Sequence, residues 1–164
     1  MAHIRTTHVG SLPRSQEVTD FLFSKEKNQA YNATHFDEVM KKPVDLIVSR
    51  QKDCGIDIVS DGETSKISYA TYVKDRYTGF SGDSPRNAPA DLIMFPTFLQ
   101  RLADSGGTPE YTRPMCTGEV KPLSNSELKK DISNLKSAIK KYGNIHGFMN
   151  CLLYTSDAAD EAKC

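Results

Sequence analysis

No stretch of this 164-residue chain is apolar for long enough to span a bilayer. Its opening residues, MAHIRTTHVGSLPR, lack the apolar centre of a secretory signal. A cytoplasmic location with no membrane partner is therefore the expectation. Charge of one sign is missing too: 21 Lys and Arg balance 21 Asp and Glu, for a formal net charge of zero. That balance offers neither a basic surface for nucleic acid nor an acidic solvating tail. The four cysteines, Cys54, Cys116, Cys151 and Cys164, form no C-x-x-C pair, which argues against a zinc finger or a disulfide framework. Cys54 and Cys116 read as small buried hydrophobes. Also absent are G-x-G-x-x-G and G-x-x-x-x-G-K-[ST], the phosphate-cradling signatures of many doubly wound folds.

What remains is an ordinary balance, 38% hydrophobic and 26% charged, in a chain long enough for one domain with its own core. Residues 3–9 are short and β-branched, and Gly10-Ser11-Leu12-Pro13 ends them, so a strand and a turn are expected. Ser15 can cap a helix whose Val18, Phe21 and Leu22 share a face. Residues 25–35 read as loop. Apolar positions 36, 39, 40, 44, 47 and 48 form a helical stripe, with Pro43 marking a kink or the start of a second helix. That helix should end before Gly55, and Ile56, Ile58 and Val59 make a strand stopped by Asp61-Gly62.

Residues 79–90 read as loop, 91–103 as helix interrupted or restarted at Pro96, and RPMCTGEV as a third strand. Ser124 and Glu127 stand in capping-box spacing ahead of Leu128, Ile132, Leu135 and Ile139, which fall on one helical face that Gly143 closes. HGFMN is the fourth strand. Alternation of strand and helix predicts an α/β fold with parallel strands, either an open doubly wound sheet or a (β/α) barrel.

In such folds ligands sit at the carboxyl ends of the strands. Two turns there carry chemistry. In THVGSLPR, Gly10 permits a tight turn and Ser11 offers a hydroxyl beside backbone N–H groups, a nest for a carboxylate or phosphate; a plain serine turn is the simpler reading. His8 reads as a packed, hydrogen-bonded side chain rather than a ligand or base. In SDGETSK, Asp61 and Glu63 could hold an ammonium group or a metal or act as a base, although D-G is also a common solvated turn. Lys66, Lys74 and Arg76 read as surface charges, and Tyr69 and Tyr72 as half-buried packing.

Taken in order, TTHVGSLPR, GIDIVSDGE and YVKDRYTGF, followed by MCTGEV and FMN, resemble the cobalamin-independent methionine synthase family in its single-barrel, catalytic-domain-like branch. The resemblance covers about residues 3–150. It implies that the chain is the N-terminal half, about four β/α units, of a (β/α)8 TIM barrel. It implies a methyl transfer from 5-methyltetrahydrofolate, as the polyglutamate, to the thiolate of homocysteine, giving methionine. Zn2+ serves the intact protein by removing a thiol proton whose ordinary pKa is about 8.5. It further implies that Ser11, with the backbone of Val9 and Gly10, takes the carboxylate or amine of homocysteine, and that Glu63 pairs with its ammonium.

The family's zinc ligands are a His-x-Cys pair, a Glu and a further Cys. Here His3, His8, His35 and His146 are followed two positions later by Arg5, Gly10, Asp37 and Phe148, so the ligand set is missing and no catalytic or metal-binding residue is assigned. The expected division is residues 1–150 as a partial barrel and 151–164 as a non-native tail. CLLYTSDAADE, residues 151–161, reads as a translation of the transposon-end adapter used in sequencing-library preparation, and on that reading is excluded from the fold. On this reading the chain alone is inactive. The alternatives are another zinc–thiol alkyl transfer, such as epoxide opening by coenzyme M, a non-catalytic half-barrel completed by a partner chain, or a decarboxylase-type barrel.

Overall fold

The structure, a computed structural model, describes residues 3–27, 29, 33–84, 90–104, 114–143 and 145–149. The tail from 151 onward lies outside the described residues.

Helix α1, Gln16–Glu26, starts where Ser15 accepts a hydrogen bond from the Val18 amide at 3.4 Å. Val18 and Leu22 bury one side of it, with Phe21 partly buried against the same cluster. Helix α2, Ala33–Asp53, is a single element that runs on through Pro43. Pro43 has no N–H to donate, so the helix forgoes one internal bond there. The stripe Phe36, Val39, Met40, Val44, Ile47 and Val48 is buried as its spacing requires. The helix closes in a Schellman motif: the Gly55 amide bonds the Lys52 carbonyl and the Ile56 amide the Gln51 carbonyl, with Gly55 at φ +78°. Cys54 sits in this helix end and is exposed, so the expectation of burial fails there.

Strand β1, Ile58–Val59, is the centre of a small parallel arrangement. On one side Thr7 forms a parallel bridge with Ile58. On the other side β4, His146–Gly147, pairs parallel to β1 in register Ile58 to His146 and Val59 to Gly147. Gln51 locks α2 against the strand end as a further strand would. Its amide group donates to the Ser60 carbonyl at 2.9 Å and its oxygen accepts the Ser60 amide at 3.0 Å.

Helix α3, Tyr69–Lys74, leads into a feature the sequence did not predict. Strand β2, Phe80–Ser81, and β3, Met115–Cys116, pair antiparallel, and the ribbon continues back to a Tyr77–Pro122 bridge. Residues 79–90 are therefore not all loop, and the third strand does not join the parallel set. Three parallel segments, not four, are present among the described residues. Cys116 lies on this ribbon and is exposed, because neither face of it is covered. Between its strands lie α4, Ala90–Met94, and α5, Pro96–Asp104, the restart at Pro96 that the sequence predicts.

Helix α6, Ser126–Tyr142, packs along α2 and ends at Gly143, φ +66°. The expected capping box does not form. Asn125 is the N-cap and makes no side-chain cap bond. Ser124 instead accepts from the Ser126 amide, while Glu127 is drawn to Lys25, 3.2 Å away, and Lys130. Two apolar clusters result, Val18, Leu22, Phe36, Val39 and Met40 between α1 and α2, and Val44, Val48, Val59, Leu135 and Ala138 between α2, β1 and α6.

Candidate functional site

The two predicted turns meet at the carboxyl end of β1. The Leu12 amide bonds the Gly62 carbonyl at 3.0 Å, and the Ser11 hydroxyl donates to Glu63 Oε2 at 2.6 Å, across 52 positions of sequence. Gly10 stands at φ +98°, a conformation glycine adopts without steric cost. Val9 is exposed, Gly10 half-buried and Ser11 exposed, so all three lie on an open rim. Gly62 is needed twice over: its φ is +60°, and a Cβ would stand 3.0 Å from Leu12 Cβ and 3.1 Å from Ile47 Cγ2.

Glu63 itself adopts φ 53°, the left-handed region that a non-glycine residue enters at a cost of about 1–2 kcal/mol. Its neighbours hold it there. Its amide donates to Asp61 Oδ1 at 3.1 Å, and its carbonyl accepts from the Lys66 amide at 3.0 Å and from Arg14 Nη2 at 2.8 Å. Arg14 also bonds the Thr64 carbonyl at 3.2 Å and the Lys66 carbonyl at 2.5 Å. One guanidinium thus gathers three carbonyls of the turn. Burial pulls the Arg14 guanidinium down from its ordinary pKa, while Glu63 and Asp61 oppose that shift.

Behind the rim, Asp61 Oδ2 meets Lys66 Nζ at 3.0 Å, with both side chains 3% exposed or less. Lys66 is therefore a buried ion-pair partner and not a surface charge. Lys74 and Arg76 are corrected likewise. Lys74 reaches buried Glu26 at 3.0 Å; Arg76 lies 3.5 Å over the Tyr72 ring and 3.6 Å from Asp131. Burial has paired these cations with acids that the sequence places far away. His8 is half-buried as expected, but its Nε2 has no hydrogen-bond partner among the described residues.

Sequence reasoning brought Ser11 and Glu63 to one rim but gave Arg14 no role. Its partners are backbone carbonyls about fifty residues away, which leave no trace in residue type. Among the described residues no three His, Cys, Asp or Glu side chains converge to hold a metal ion. Those described residues offer zinc no ligand set. No described helix is long and apolar enough to cross a membrane.

The fold and rim define an α/β protein with a polar site at the carboxyl ends of parallel strands. Residues 4–84, which hold both turns, match the family model described as "Cobalamin-independent synthase, Catalytic domain". Three proteins named 5-methyltetrahydropteroyltriglutamate–homocysteine methyltransferase are similar to the chain. That of Neisseria gonorrhoeae (strain ATCC 700825 / FA 1090) is 26% identical over 148 residues, covering 77% of this chain and 19% of the relative. That of Corynebacterium glutamicum (strain R) is 23% identical over 147 residues, with the same two coverages of 77% and 19%. That of Desulforamulus reducens (strain ATCC BAA-1160 / DSM 100696 / MI-1) is 29% identical over 75 residues, 46% of this chain and 10% of the relative. The chain thus spans about a fifth or less of the length of these relatives.

Proposed function

We propose that residues 1–150 form the N-terminal half of a methionine-synthase-like (β/α)8 barrel whose rim holds the amino-acid end of homocysteine. Glu63 pairs with the ammonium group, and Ser11 with the backbone of Val9 and Gly10 takes the carboxylate or amine. The intact protein moves a methyl group from 5-methyltetrahydrofolate to the homocysteine sulfur. A zinc ion in the intact protein would supply the positive charge that favours the thiolate, and its ligands would come from residues outside this chain. This chain alone is inactive in that transfer, and residues 151–164 carry none of the function.

The Ser11–Glu63 contact at 2.6 Å supports this reading most directly. A zwitterion needs an acid and hydrogen-bond donors a few ångströms apart on one accessible surface. This contact brings a rim carboxylate beside the Gly10–Ser11 turn. The names of the similar methyltransferases support the choice of substrate class.

The test is an amide NMR titration of the 15N-labelled chain with homocysteine, with its deaminated analogue 4-sulfanylbutanoate, and with coenzyme M. Homocysteine is expected to shift Gly10, Ser11 and Glu63, the analogue to shift them far less, and Glu63→Gln to weaken the response at least about tenfold, the equivalent of one 1.4 kcal/mol interaction. No response at these amides would remove the reading. An equal response to coenzyme M would favour the sulfonate–thiol alternative.

A further inference from the structure

Behind the rim turn, between α1, α2, α3 and α6, lies a cavity of about 40 Å³. Three polar atoms on its lining residues are buried without a hydrogen-bond partner among the described residues: Ser65 Oγ, Arg76 Nε and Asp131 Oδ2. Asp131 is 8% exposed and therefore more than nine-tenths buried. Leaving such groups unsatisfied forfeits their full desolvation cost, so three converging on one cavity call for an occupant.

The chemistry of the three atoms restricts what that occupant is. Arg76 Nε–H only donates, ionised Asp131 Oδ2 only accepts, and a hydroxyl does both. A simple cation has nothing to offer the Arg76 donor, and a simple anion nothing to offer the Asp131 acceptor. A neutral molecule with both functions matches all three, and a water needs about 10–15 Å³ of such space. We propose that this cavity is a site for structural water, one molecule of which accepts from Arg76 Nε, donates to Asp131 Oδ2 and closes on Ser65 Oγ.

The surrounding geometry favours the bridge. Arg76 is fixed by its stacking on Tyr72 and by its Nη1 bond to the Tyr72 carbonyl at 3.3 Å. Its Nη2 stays 3.6 Å from Asp131, too far for a direct hydrogen bond. The pair is therefore closed through water. Burial raises the Asp131 carboxyl from its ordinary pKa, against the nearby Ser65 hydroxyl and the charges of Lys66 and Arg76; Ser65 lies close to the carboxyl without hydrogen-bond geometry to Oδ2. Ser65 lies two residues beyond Glu63, so the water ties α6 to the back of the rim turn.

The experiment is a water-selective NOE and ROE measurement on the whole chain with arginine side chains 15N-labelled. A cross-peak from Arg76 Hε to a water resident for longer than about a nanosecond is expected. Ser65→Val, which removes the hydroxyl and fills space, should abolish it; Asp131→Asn, which keeps an acceptor oxygen, should retain it. A folded wild-type chain with no such cross-peak overturns the proposal, as does an undiminished cross-peak in folded Ser65→Val. Should Ser65→Val not fold, the wild-type cross-peak decides the matter alone.

Discussion

At the scale of single residues, Glu63 joins a backbone cost to a side-chain role. Replacing it separates the two. Glu63→Ala and Glu63→Gly both lose the Ser11 bond, but only alanine keeps a Cβ at φ 53°. Glu63→Gly should therefore be the more stable of the pair by about 1 kcal/mol in urea unfolding, and equal stabilities would mean the turn relaxes. Arg14 is the other residue that decides the rim. A lysine has one ammonium where Arg14 uses a planar fork to reach the carbonyls of Glu63, Thr64 and Lys66. Arg14→Lys should cost about 2 kcal/mol, near the worth of one charge-assisted bond, and an unchanged midpoint would show that the fork is dispensable. Ser11 and Glu63 could be found from turn chemistry. Arg14 could not, since its neighbour Pro13 is the same whether the guanidinium faces water or three carbonyls.

Among elements, the longer helices were legible because their signals are local: the Ser15 cap, the stripe of α2 and the terminating Gly55 and Gly143 are written within a few residues, whereas the six-residue α3 was not predicted. Strands β1, β3 and β4 were legible as segments, but β2 and the pairing of β3 with it were not. Whether Met115–Cys116 joins a parallel sheet or a separate antiparallel ribbon depends on partners Phe80–Ser81 far behind it, and residue type is silent on direction. Side-chain reach also overrode a local pattern, since Glu127 turned from the expected cap to Lys25 and Lys130. The turn joining β1 to α3 depends most on the buried Asp61–Lys66 pair. Removing one charge strands the other, so Lys66→Met alone should cost about 3–5 kcal/mol. Adding Asp61→Asn keeps an oxygen for the Glu63 amide and removes the stranded charge, and should recover at least half of that loss. A double mutant no better than the single would show that packing, not charge, sets the cost.

Over the whole molecule, the two core clusters share α2, but the N-terminal segment that carries Ser11 is held differently. Ile4 and Val9 are 84% and 61% exposed, so little apolar burial retains it. What holds it is polar: the Thr7 bridge, the Leu12 amide, and Asp57, which takes His3 at 2.7 Å, the Thr6 amide at 2.7 Å and the Thr6 hydroxyl at 3.0 Å. These contacts, led by His3 and then the Thr6 amide and hydroxyl, lower the Asp57 carboxyl to about 2. The sign follows from linkage. A carboxyl whose folded pKa lies below its unfolded value, about 3.9, binds fewer protons when folded. Its contribution is present above that unfolded value and is lost as pH falls toward about 2. Relative to its intrinsic rate, amide exchange at Thr6 should therefore quicken between about pH 4 and pH 2, while the α2 and α6 amides stay protected. Asp57→Asn should remove that pH dependence and leave the segment loosened throughout. A carboxyl titration midpoint near 3.9 for Asp57, with no quickening in that window, would mean that the rim owes its register to Leu12–Gly62 and Ser11–Glu63 alone.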